Sequence, residues 1–278
     1  MLLFCIASTL SYQAQAQRVW VADSLSSVAT GDVRNVRIIL PDNVDSGVRY
    51  PVLYLLHGYG GDHRNWTDRT NITRYLDSLD LDLVVVMPDA DNSWYQNMVN
   101  GQKFTDFMRD ELPAWLYNTH PVDTSAQYIA GLSMGGYGAL YLGMSNPTAY
   151  RMIGSFSGAV VFPANLPATA ENLQGRASAL SLFDAFGDGA HPNRISGDIY
   201  RYAAMTDMPV KPYIFLRHGI QDGFTEFLPG HRKLTELLSV SQWPYEYHEI
   251  PGAHNWPFWD ASIREYLSRL TALLPPCR

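Results

Sequence analysis

An α/β fold built on a mostly parallel sheet, with helices on its faces, is predicted by three features of this 278-residue chain. Short apolar runs alternate with stretches of helical periodicity. Several runs, residues 51–56 above all, are apolar at nearly every position, as strands buried on both faces are. One run, Tyr128-Ile129-Ala130, leads directly into Gly131-Leu132-Ser133-Met134-Gly135 and then into Gly136, Gly138 and Ala139. That reads as a strand, a tight turn with a serine at its tip, and a helix packed closely on the sheet.

The elements follow in order. Residues 2–10 form an apolar segment too short to span a membrane, and Ala14-Gln15-Ala16 is a cleavage pattern ahead of Gln17. Residues 1–16 are therefore read as a signal peptide, although no Lys or Arg precedes the apolar segment, and the mature chain is expected to be secreted or periplasmic. Phe4 before Cys5 argues against a lipoprotein site; cleavage leaves Cys277 as the one cysteine. Residues 17–278 are read as a single domain.

Residues 33–40 read as an edge strand. Further strands are predicted at 51–56, at 83–87 (stopped by Pro88), and at 127–130, 152–156, 213–216 and 245–250. Phe104, Phe107, Met108, Leu112, Trp115 and Leu116 fall at helical spacing, with Pro113 expected to kink or restart that helix. The helix after Ser133 should end near Asn146-Pro147. Trp259, Ile263, Tyr266, Leu267, Leu270 and Leu274 make one stripe, with Asn255 and Pro257 at its start. Residues 162–208 break the alternation. They are rich in Pro, Gly, Ala and Asn, and are read as an insertion over the C-terminal edge of the sheet, either a cap shaping the pocket or a structural excursion.

Composition excludes some functions. Net charge is −7 and the pI is about 5.5, the lysines are only Lys103, Lys211 and Lys233, and no basic run exists, so a nucleic-acid partner is not expected. No metal site is expected, since no H-E-x-x-H or similar spacing occurs, and no cofactor is needed. The sequons Asn65-Trp66-Thr67 and Asn71-Ile72-Thr73 are read as helix-start or surface residues.

A serine hydroxyl is a poor nucleophile unless an imidazole takes its proton and a carboxylate orients that imidazole. Four histidines lie late in the chain: His218, His231, His248 and His254. His218 ends a strand, His231 starts a helical stretch and His248 is inside a strand pattern. His254 follows Ile250-Pro251-Gly252-Ala253, on a turn between the last strand and the last helix, where an imidazole can overhang the sheet edge. Asp222, on the turn Gly219-Ile220-Gln221-Asp222-Gly223, is the candidate acid, with Glu226 as its rival. Two backbone N–H groups are needed for an oxyanion. Met134 follows the serine, and Tyr59 lies in His57-Gly58-Tyr59-Gly60-Gly61 after an early strand.

The blocks L-L-H-G-Y-G-G (55–61), S-W-Y (93–95), G-L-S-M-G-G-Y-G-A-L (131–140) and P-G-A-H-N-W-P-F-W-D (251–260) resemble the esterase D / "putative esterase" family of α/β-hydrolases. That family includes S-formylglutathione hydrolases, tributyrin-type, feruloyl and acetyl-xylan esterases, and mycolyltransferases. The resemblance runs from about residue 33 to 274. It implies an α/β-hydrolase fold with Ser133 as nucleophile, Asp222 as acid, His254 as base and Tyr59 and Met134 as oxyanion donors. It also places Trp94 and Tyr95 near the pocket, where one or the other would contact an acyl or sugar group, with core packing the equal alternative for Trp94. One departure stands out: the turn ahead of the acid is more usually C-G-x-x-D, and here it begins with His218. The expected activity is serine carboxylesterase on short-chain or carbohydrate-linked acetyl or feruloyl esters, with a small-molecule or polysaccharide ester as partner. The alternatives are acyl transfer to a sugar or lipid hydroxyl, and a catalytically silent carbohydrate-binding relative.

Overall fold

The computed structural model describes residues 18, 20–42, 44–45, 47–169 and 177–274. The expected signal peptide lies outside the described residues. Eight strands form one sheet in the order β1-β2-β4-β3-β5-β6-β7-β8: β1 (Trp20–Ser27), β2 (Asp32–Ile39), β3 (Tyr50–Leu56), β4 (Val84–Pro88), β5 (Val122–Leu132), β6 (Met152–Phe156), β7 (Tyr213–Gly219) and β8 (Tyr245–Ile250). The first two pairings, β1 with β2 and β2 with β4, are antiparallel; every later one is parallel.

The apolar runs behave as predicted because each strand feeds two cores. Along β3, Val52, Tyr54 and Leu56 pack on one face of the sheet, and Leu53 and Leu55 on the other, all fully buried. The first face carries α5 (Met134–Ser145) and α9 (Phe227–Val240). The second carries α1 (Asn65–Arg69), α2 (Ile72–Ser78) and α10 (Trp256–Leu270). Helix α5 is buried all round, from Met134 to Met144, as a helix wrapped by sheet and neighbours must be.

One expectation needs correction. The strand at 33–40 is not an edge strand: β1 pairs along its whole length and takes the edge. Most β1 side chains are exposed, so that strand leaves no apolar pattern to read. Pro113 restarts its helix, one of the two outcomes expected of it. The backbone is helical through α3 (Phe104–Asp106), a π-helical turn (Phe107–Glu111) and α4 (Leu112–Thr119). The wider turn restarts the ladder just ahead of Pro113, so its missing N–H falls in a first turn.

Residues 162–208 contain α6 (Ala177–Phe186), α7 (Asn193–Ser196) and α8 (Ile199–Ala203). They pack on the outside of α5 and α9. Phe162 and Phe186 close around Trp94, Phe186 also meets Tyr137 edge-on, and the Tyr137 hydroxyl donates to the Gly197 carbonyl at 2.7 Å. Among the described residues no helix is long and apolar enough to cross a membrane.

Candidate active site

Ser133 occupies the turn between β5 and α5 at φ 53°, ψ −117°. A non-glycine residue there carries strain of roughly 1–3 kcal/mol, so the surroundings must impose it. They do: the Ser133 N–H donates to Phe156 O at 2.9 Å, and its carbonyl accepts from Tyr137 and Ala159. The flanking glycines allow the close approach. A Cβ on Gly131 would lie 2.4 Å from Gly135 O, and one on Gly135 would lie 2.5 Å from the carbonyl oxygens of Leu56 and His57.

His254 and Asp222 come from adjacent loops. Gln221 stitches these loops together: its N–H donates to Gly252 O at 2.9 Å and its side-chain oxygen accepts from Gly252 N–H at 2.5 Å. His254 Nε2 lies 2.9 Å from Ser133 Oγ, and its Nδ1 lies 2.8 Å from Asp222 Oδ2. A carboxylate only accepts, so Nδ1 carries the proton and Nε2 offers its lone pair to the serine O–H. The imidazole is held edge-on by Phe224 at 4.8 Å and Trp259 at 5.0 Å. Asn255 starts α10 immediately after it, its side chain accepting from Phe258 N–H at 3.3 Å.

The Asp222 side chain is 2% exposed. Burial pushes its carboxyl up. The hydrogen bonds from His254 and from Phe224 N–H, at 2.8 and 2.9 Å, outweigh burial and hold it below the usual carboxylate range. The rival residues stand elsewhere. Glu226 is exposed, His248 pairs with Glu246, and His231 lies buried on α9.

Two backbone donors lie on the segments that flank the serine. Met134 N–H begins α5, and Tyr59 N–H sits in the loop after β3; neither has an acceptor among the described residues. Gly58 brings that loop against Leu132 and Ser133. His57 anchors it from beneath. Its Nε2 accepts from Ala90 N–H at 3.0 Å, which leaves Nδ1–H to donate to Gly58 O at 2.9 Å. Burial lowers the His57 pKa, in keeping with this neutral form.

Trp94 and Tyr95 are corrected. Both are buried and neither lines the cavity. The Trp94 indole N–H donates to Ser181 Oγ, and its ring packs against Tyr137, Phe162 and Phe186. Tyr95 lies across Gly138 and donates its hydroxyl to His57 O at 2.9 Å, supporting the Tyr59 loop rather than touching a ligand. Among the described residues of 162–208, none lines the cavity at Ser133. Their apolar side chains are used against α5 instead.

The cavity, about 370 Å³, opens over Ser133 and His254. Its walls are Tyr59, Phe224, Trp256 and Trp259, with Asn65 and Arg69 on one side. Apart from Tyr59, sequence reasoning missed these wall residues. Trp256 and Trp259 sit beside His254 in H-N-W-P-F-W, which was a usable signal; Arg69, on a surface helix, offered none.

An α/β-hydrolase sheet, a strained serine and an imidazole–carboxylate pair beneath an open cavity define an ester-hydrolysing serine hydrolase. Residues 27–270 match the family described as "Putative esterase", and the chain belongs to it. An acetyl esterase of Caldicellulosiruptor saccharolyticus is 28% identical over 231 residues, covering 79% of this chain and 84% of its own. Esterase Rv1288 of Mycobacterium tuberculosis is 30% identical over 266 residues, 85% of this chain but 56% of that protein, so the chain spans little more than half of this relative. Among solved structures, the fluorophosphonate-binding serine hydrolase FphF of Staphylococcus aureus superposes with a TM-score of 0.76 at 24% identity, over 92% of this chain and 99% of that one.

Proposed function

We propose that the protein is an exported serine carboxylesterase acting on short-chain or carbohydrate-linked acetyl and aromatic acyl esters through an acyl-enzyme. The observation that carries this is the unbroken chain from Ser133 Oγ through His254 to Asp222 at the floor of the cavity. Ser133 attacks the ester carbonyl as its proton passes to His254 Nε2. The oxyanion is received by the N–H groups of Tyr59 and Met134, each worth roughly 3–4 kcal/mol in the transition state. The intermediate collapses, and the alcohol leaves with the proton from His254. Water then attacks the acyl-enzyme, its proton taken by His254, and the acid departs as Ser133 regains its hydrogen.

The substrate reading rests on the cavity wall. Tyr59 and Phe224 are exposed at its rim and Trp256 is half-buried, giving flat apolar surfaces suited to a sugar or aryl ring. The acetyl esterase relative agrees with a small acyl group. Export rests on residues 2–10 and the Ala14-Gln15-Ala16 site.

Ser133→Ala should lose fluorophosphonate labelling and reduce p-nitrophenyl acetate turnover at least 10³-fold; wild-type turnover in that variant ends the assignment. Assays on acetylated xylan and methyl ferulate test the substrate class. Product analysis with added alcohols separates hydrolysis from transfer.

A further inference from the structure

Behind the Asp222 carboxylate lies a second imidazole that the reaction above does not use. His218, at the end of β7, is fully buried, with Nε2 3.9 Å from Asp222 Oδ2. Neither of its ring nitrogens has a hydrogen-bond partner among the described residues. Its other neighbour is the His231 ring on α9, 4.7 Å away between centroids. His231 donates from Nε2 to Gly158 O at 2.9 Å, so its Nδ1 is a bare acceptor, also without a partner.

Glu249 on β8, opposite His218 in register, completes the charged surroundings; it is engaged by Arg232 at 2.7 Å. Tyr247 on β8 stacks on His231, and His254 lies on the far side of Asp222. Asp222 is thus the one carboxylate in this pocket not taken up by a cation.

We propose that His218 is a positioning residue for the catalytic acid: a neutral imidazole whose Nε2–H is directed at Asp222 Oδ2, so that the carboxylate works between two imidazoles. The inference rests on the Ser133–His254–Asp222 assignment made above. At 3.9 Å the contact is longer than a hydrogen bond. It is an ion–dipole attraction, strengthened by the low polarizability of the surroundings of a fully buried ring. The tautomer follows from the charges. A bare Nε2 would set a lone pair against the carboxylate, whereas Nε2–H turns a donor towards it. Burial lowers the His218 pKa and the facing Asp222 works against that; the net shift is downward and suits the neutral form.

The consequence is a tuned base. A donor behind Asp222 draws its charge away from His254 and so weakens its hold on the His254 imidazolium. Replacing His218 by an apolar ring gives the full carboxylate charge to His254, and His254 then keeps its proton to higher pH.

The test is the pH profile of kcat/KM for p-nitrophenyl acetate. His218→Phe should move the acid limb upward by roughly half to one pH unit, and His218→Gln, whose amide N–H can face Asp222, should move it back. A His218→Phe profile that superimposes on the wild type, whatever its Tm, overturns the proposal and leaves His218 as packing. So does a shifted limb that His218→Gln does not restore. Should His218→Phe fail to fold, ¹⁵N-histidine NMR of the wild-type protein decides. A neutral Nε2–H tautomer at His218 is expected, and a neutral Nδ1–H tautomer overturns the proposal. Ser133→Ala keeps the two readings apart: full activity in that variant removes the assignment itself, whereas an unshifted limb beside a dead Ser133→Ala removes only the role of His218.

Discussion

At Ser133, strain and function are separable. The φ of 53° is unfavourable for serine and alanine alike but open to glycine. Ser133→Gly and Ser133→Ala should therefore be equally inactive, yet the glycine variant should be the more stable of the two by about 1 kcal/mol, since relief of strain exceeds glycine's entropic cost. Denaturant titrations of the pair check this; equal midpoints would mean that the turn is relaxed. Tyr95 bears on the Tyr59 loop, the proposed oxyanion site, from a distance. Tyr95→Phe leaves a buried carbonyl on His57 unpaired, at a cost of roughly 1–3 kcal/mol. Because Tyr59 lies two residues further along the same loop, kcat should drop several-fold with KM nearly unchanged. A lower Tm with intact kcat would show that His57 alone holds the loop. The role of Tyr95 was hidden from sequence reasoning because an aromatic beside a pocket block reads equally as wall or as prop, and only the direction of its hydroxyl separates the two.

Whole elements were legible where their burial pattern is their own. β3, β4 and β6 are buried at every position, and residues 152–156 and 245–250 coincide with β6 and β8. β1 was not legible, because an edge strand held by backbone pairing needs no apolar code. The start of α10 was readable from Asn255 and Pro257. Asn255→Ala should cost about 1 kcal/mol of stability through the lost cap. As His254 is the preceding residue, kcat should fall with it. Melting curves paired with steady-state kinetics test the coupling; a lower Tm with unchanged kcat would place the imbalance in α10 alone.

Across the whole molecule, buried neutral histidines make the fold acid-sensitive. Burial is the leading cause that lowers the pKa of His57, His218 and His231, the last to about 3. An unfolded histidine takes up its proton near pH 6.5, so below that pH the unfolded chain binds more protons than the folded one. Stability is thus complete above about pH 6.5 and declines as pH falls towards 3, with His231 alone accounting for roughly 2 kcal/mol by pH 5. His231→Gln, which retains a donor for Gly158 O, should flatten the dependence of unfolding free energy on pH between 7 and 5; an unaltered slope would clear His231. The sequence by itself pointed to the parallel sheet and to Ser133, Asp222 and His254 as candidates, which the fold brings within hydrogen-bond reach, because strand burial, glycine sterics and loop position are written in local residue order. Only the tertiary structure decided that Trp94, Tyr95 and the described part of residues 162–208 pack on the scaffold, that Trp256 and Arg69 face the cavity, and that His218 stands behind Asp222. Those are questions of which side chain meets which across the sheet, and the local pattern records only that a residue is buried, not against what.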